Sequence, residues 1–128
     1  HIAREVDDVA AALPGALVFR GPEATEARLR EVGPQCRYLH IATHGRFRSD
    51  NPLFSSIRLG DGYLSLYDLQ GLRLPAELVV LSGCSTGLGV VVGTDEVVGL
   101  VRGLLSAGVQ SAVVSLWDTR DESTALFM

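Results

Sequence analysis

One histidine and one cysteine in this sequence stand where a base and its nucleophile would meet. The run Tyr38-Leu39-His40-Ile41-Ala42-Thr43-His44 is largely apolar and delivers His44 to a glycine, Gly45. The run Leu78-Val79-Val80-Leu81-Ser82-Gly83-Cys84 delivers Cys84 to a cluster of small residues, Ser85, Thr86 and Gly87. A thiol is only slightly ionised at neutral pH, so a neighbouring imidazole is what makes it an attacking thiolate. If the two runs are parallel strands of one sheet, their C-terminal ends share an edge. His44 and Cys84, far apart in the chain, then face one another across the crevice where open α/β sheets hold their ligands. The N–H of Gly45, unshielded by a side chain, and the N–H of Cys84 would form an oxyanion hole.

The remaining histidines and cysteine read more plainly. His40 lies on the same strand as His44 and is expected to be a hydrogen-bonded core histidine. Cys36 reads as strand packing. Two cysteines and three histidines cannot complete a four-ligand zinc site without carboxylates, and no C-x-x-C spacing occurs. No metal and no cofactor is expected. Two free thiols in a reducing compartment, the cytoplasm, fit a chain that needs no disulfide staple.

The elements that must position the pair follow from periodicity and breakers. Val6, Val9, Ala10 and Leu13 recur at helical spacing over Ala3–Leu13, and Pro14-Gly15 ends that helix. Ala16–Arg20 is a short apolar run that predicts a strand. Thr25–Val32 predicts a second helix, stopped by Gly33-Pro34. Cys36–Thr43 is apolar at nearly every position, as a strand covered on both faces would be. Phe54–Leu59 and Tyr63–Leu66 flank Gly60-Asp61-Gly62 and predict a hairpin. A short helix over Tyr67–Leu72, a strand at Leu78–Leu81, and a helix from an N-cap at Thr94 to Ala107 follow, with Gly108 closing the last. Ser111–Leu116 predicts a further strand and Glu122–Met128 the start of a helix. This α-β-α-β-hairpin-β-α-β-α order predicts a parallel sheet with helices on both faces.

Composition sets the limits. A chain of 128 residues, 47% apolar, is one domain able to bury roughly two thirds of its unfolded surface. No apolar run approaches the ~20 residues that span a bilayer, and no secretory pattern opens the chain. The net charge of −4 argues against nucleic acid as a direct partner. All 11 basic residues are arginine, which removes Schiff-base and Ser-Lys chemistry.

Two other patterns are present. Gly83-Cys84-Ser85-Thr86-Gly87 fits the G-x-S-x-G elbow of α/β-hydrolases, with Ser85 as nucleophile. In that fold the acid and histidine follow the serine, and no histidine follows His44. Gly87-Leu88-Gly89-Val90-Val91-Val92-Gly93 loosely suggests a dinucleotide loop, but its spacing differs from G-x-G-x-x-G.

Four ordered blocks carry a resemblance. His40-Ile41-Ala42-Thr43-His44-Gly45 resembles the H-F-A-T-H-G block of the CHAT family, caspase-like domains of clan CD cysteine peptidases that are often attached to TPR repeats. Leu81-Ser82-Gly83-Cys84-Ser85-Thr86-Gly87-Leu88-Gly89 is similar to its L-S-A-C-x-T-G-L-G block, with Gly83 in place of the usual alanine. Gly99–Gly108 resembles the helix that follows, and Ser115-Leu116-Trp117-Asp118 the S-L-W segment. The resemblance implies a caspase-like three-layer α/β/α sandwich with a mostly parallel sheet, truncated at both ends of residues 1–128. It implies a cysteine endopeptidase with His44 and Cys84 as catalytic dyad and the N–H groups of Gly45 and Cys84 as oxyanion donors. Ser115, Leu116, Trp117 and Asp118 would bind a protein or peptide substrate as an added strand. A TPR or other regulatory domain in the full-length protein is the implied partner, with no nucleic acid and no membrane. The rival reading is a catalytically silent module of the same fold used for interaction or regulation. Cleavage specificity is not readable from the sequence: Asp95, Asp118 and Asp121 near the expected cleft add weight to a basic residue before the cut, but Asp95 equally suits a helix start and Asp121 a helix cap.

Overall fold

The computed structural model describes residues 2–46, 56–82, 101–114 and 127. Its centre is a parallel three-stranded sheet in the order β1-β5-β6, formed by β1 (Tyr38–Ala42), β5 (Leu78–Ser82) and β6 (Ala112–Val114). β1 and β5 pair in one unbroken register, from Tyr38↔Leu78 to Ala42↔Ser82. The ladder is extended at its C-terminal end by Thr43 N–H donating to Ser82 O at 2.9 Å. At its N-terminal end Glu77 N–H donates to Arg37 O at 2.9 Å, and the exposed Arg37 guanidinium meets the Glu77 carboxylate at 2.8 Å. That hydrogen bond, followed by the charge of Glu77, raises the Arg37 pKa.

A second, antiparallel sheet has the order β2-β3-β4, from β2 (Gly45–Arg46), β3 (Ser56–Leu59) and β4 (Gly62–Ser65). β3 and β4 are the expected hairpin, turning at Gly60-Asp61. Gly60 is required there. Its N–H donates to Ala24 O at 2.7 Å, and a Cβ at this position would run into Gly21 O and the Pro22 backbone.

The helices start and stop by local chemistry. α1 (Ile2–Ala12) ends before Pro14 and Gly15, the latter at φ +82°. α2 (Glu26–Val32) is capped by the Thr25 hydroxyl accepting from Arg28 N–H at 3.1 Å. α3 (Leu66–Gln70) is capped in the same way, Ser65 Oγ accepting from Asp68 N–H at 3.1 Å. Residues 101–106 are helical, and Gly108 at φ +103° turns the chain towards β6.

The core lies against one face of the parallel sheet. Leu39, Val79 and Ala112 align across the three strands, as do Ile41, Leu81 and Val114. Against this face pack Leu64, Leu69, Leu74 and Leu104, drawn from the hairpin, α3, the segment before β5 and the helical stretch 101–106. The opposite face of β1 and β5 carries His40, Ala42, Val80 and Ser82 by strand alternation.

Three expectations are corrected. Ala16–Arg20 joins neither sheet, and its Leu17 is 74% exposed. An apolar run becomes a strand only with a neighbour to pair with, and none is offered among the described residues. The strand expected over Cys36–Thr43 is shorter at both ends, because Gly33–Gln35 forms a 3-10 turn capped by Cys36 and Thr43 already crosses towards the antiparallel sheet, keeping one last bond to Ser82. The apolar stripe expected on α1 is only half-covered, Leu13 being exposed, while the buried residue of that helix is Glu5.

The α/β class with a parallel sheet is therefore present. Among the described residues, no helix is long and apolar enough to cross a membrane. Leu74, 1% exposed, is one of the most deeply buried side chains of the core. Leu74→Ala should cost about 2–5 kcal/mol, measured as a lower urea midpoint with unchanged slope.

Candidate active site

His44 sits just beyond the end of β1, where the chain passes from the parallel sheet to the antiparallel one. The passage is fixed on both sides. Thr43 gives its N–H to Ser82 O of the parallel sheet and its hydroxyl to Arg58 O of the hairpin. His44 O accepts from Arg58 N–H at 2.9 Å. The histidine is thus held by its backbone at the seam of the two sheets, on the C-terminal edge of β1.

Its side chain is half-buried, and Nδ1 is enclosed with no hydrogen-bond partner among the described residues. A buried, unpaired polar atom costs about 1–3 kcal/mol, so such atoms are few and call for an explanation.

The backbone of Gly45 is placed just as specifically. Gly45 pairs with Ile57, and the bond from Arg58 N–H to His44 O makes this the narrow pair of the ladder. Facing residues of a narrow antiparallel pair exchange no hydrogen bonds. The Gly45 N–H therefore points away from β3. This leaves a peptide N–H beside the histidine that is turned away from β3.

His40 is the hydrogen-bonded histidine expected from sequence. Its Nε2 lies 2.7 Å from Glu5 Oε1, and the other carboxylate oxygen accepts from Ser82 Oγ at 3.0 Å. The Glu5 side chain is 4% exposed and that of His40 15%. An ionised carboxylate only accepts, so the imidazole Nε2–H donates. Sequence reasoning missed Glu5. The available signal was a carboxylate at helical spacing between Ile2 and Val9, on the stripe that faces the sheet.

Cys36 carries a free thiol, half-buried, whose Sγ donates to Val32 O at 3.2 Å. It closes a turn and lies at the opposite end of β1 from His44. Cys84, Ser85, Ser115, Leu116, Trp117 and Asp118 lie outside the described residues, as do Asp95, Asp121 and the glycine run 87–93. Among the described residues no group of three or more His, Cys, Asp or Glu side chains could hold a metal ion.

Fold and site together define an α/β domain with a histidine on the carboxyl edge of a parallel sheet and a bare amide next to it. The family model described as CHAT domain matches residues 1–128, the whole chain, and the chain belongs to that family. No curated protein matches it.

The Glu5–His40 contact can be tested directly. His40→Leu leaves a buried carboxylate without its main partner and should cost about 3–5 kcal/mol, read by urea denaturation. His40→Leu combined with Glu5→Met, which removes both polar partners, should recover most of that loss.

Proposed function

We propose that this domain is a cysteine endopeptidase of caspase-like, three-layer architecture, acting through His44 and Cys84. The observation that carries the reading is the β1–β5 register. Ala42 pairs with Ser82 at the end of that register, and His44 and Cys84 each follow two positions later in their own segments. A chain that continues past Ser82 along the same edge brings the thiol towards the imidazole. Membership of the CHAT family, whose domains are peptidase-related, supports the same conclusion.

In the proposed reaction the Cys84 thiolate attacks the scissile carbonyl carbon, forming a C–S bond. The proton it surrendered passes through His44 to the departing amine as the peptide C–N bond breaks. The oxyanion formed on the way is received by the N–H groups of Gly45 and Cys84. Water, deprotonated by His44, then cleaves the thioester, releasing the acid and restoring the thiol. No cofactor enters these steps.

Substrate would lie along Ser115, Leu116, Trp117 and Asp118 as an added strand. The partners of this reading are a protein or peptide substrate and, in the full-length protein, a TPR or other regulatory domain. It places the protein in the cytoplasm, where a reducing environment keeps Cys84 as a thiol.

Iodoacetamide should label Cys84 selectively over the hydrogen-bonded Cys36, and a peptide aldehyde should protect it. Cys84→Ala and His44→Ala should each abolish peptide cleavage while leaving the melting temperature within a few degrees. Equal labelling of both cysteines, with cleavage untouched by Cys84→Ala, would sink the assignment. Labelling by a fluorophosphonate would redirect it to Ser85. A folded, full-length protein without thiol reactivity or cleavage would leave an interaction module.

A further inference from the structure

The polar contact between α1 and the sheet is made by a buried carboxyl group. Glu5 is the buried residue of α1, and its two carboxylate oxygens are divided between two strands. Oε1 meets His40 of β1 at 2.7 Å and Oε2 accepts from Ser82 of β5 at 3.0 Å. His40 and Ser82 stand on one face of the sheet, displaced by a single step of that face, because His40 pairs with Val80 and Ser82 with Ala42. The carboxylate thus straddles the seam between β1 and β5, on the face opposite the apolar core.

This is a costly way to dock a helix. Withdrawing a carboxylate from water carries a desolvation cost that its partners at best offset, and apolar residues of similar volume commonly do as well or better. Ile2, Val6 and Val9 already lie half-buried on the same helix, so a further apolar residue would suit the position. The location of the two grips is what distinguishes it. Ser82 is the last residue of β5, close before Cys84, and its carbonyl accepts from Thr43 N–H. His40 stands on β1 a short way before His44.

We propose that Glu5 is a positioning residue for the dyad. By holding β1 and β5 together near the edge where both end, it fixes the distance at which His44 and Cys84 work. This rests on the peptidase reading for its consequence in catalysis, but the clamp itself is a property of the fold.

The test uses the intact protein and two variants, Glu5→Met, which keeps an unbranched side chain of similar length, and Ser82→Ala, which removes one grip. Folding is verified by circular dichroism before each assay. For either folded variant, kcat and the rate of Cys84 alkylation should fall by about tenfold to a hundredfold, as expected for a misplaced dyad. KM and the rate of Cys36 alkylation should stay near the wild-type values. Should Glu5→Met fail to fold, Ser82→Ala decides alone. Wild-type kcat and Cys84 reactivity in a folded variant would overturn the proposal. If the wild-type protein cleaves nothing, the peptidase reading fails separately, and the clamp is then read from the NMR signals of the His44 ring. A shift of those signals in the folded variants upholds it, and unchanged signals overturn it.

Discussion

The parallel pairing of β1 with β5 is the constraint on which the rest of this domain depends. Parallel neighbours end on the same edge, so two segments far apart in the chain are delivered to one place. The register runs without interruption from Tyr38↔Leu78 to Ala42↔Ser82 and is carried one step further by Thr43. Each of these hydrogen bonds is worth only about 1 kcal/mol net, and a slip of one residue would turn the apolar face of β1 away from the core. The alignment of Leu39 with Val79 and Ile41 with Leu81 therefore specifies the register more strongly than the ladder does.

The two faces of that strand pair are held in different ways. One is closed by a continuous apolar cluster that includes Leu74, Leu104 and Leu69, where burial supplies the stability and direction is supplied by shape alone. The other is closed by Glu5, with His40 and Ser82 as its partners. Hydrogen bonds to a buried carboxylate are short and directional, and their strength is largely offset by the desolvation of the charge. The core side keeps the strands folded, and the α1 side keeps them in one relative position. At the edge, Thr43 then binds both sheets at once, and the chain turns so that His44 and the Gly45 N–H emerge side by side.

Much of this was legible in the sequence. The strands at 38–42 and 78–82 announced themselves as short apolar runs ended by small residues, the hairpin by Gly60-Asp61-Gly62, and α2 by its stop at Gly33-Pro34. These signals are local, and local chemistry decides them. The hydrogen-bonded character of His40 was also readable, since a histidine inside an apolar strand needs a partner. Its partner was not, because burial of Glu5 is tolerated only where two strands distant in the chain both supply donors. The strand expected at Ala16–Arg20 fails for the same reason: β-propensity describes fit to a neighbour, and no strand among the described residues pairs with that run. Of the candidate site, His44 and Gly45 lie among the described residues, whereas Cys84 and the segment from Ser115 to Asp118 lie outside them.

The most direct measurement is a crystal structure of the intact protein inhibited by a peptide aldehyde. The account predicts a hemithioacetal on Cys84 Sγ, the His44 ring within hydrogen-bond reach of the reacting centre, and the new oxygen about 3 Å from the Gly45 nitrogen. An adduct on another residue, or His44 and Cys84 on opposite edges of the parallel sheet, would contradict it.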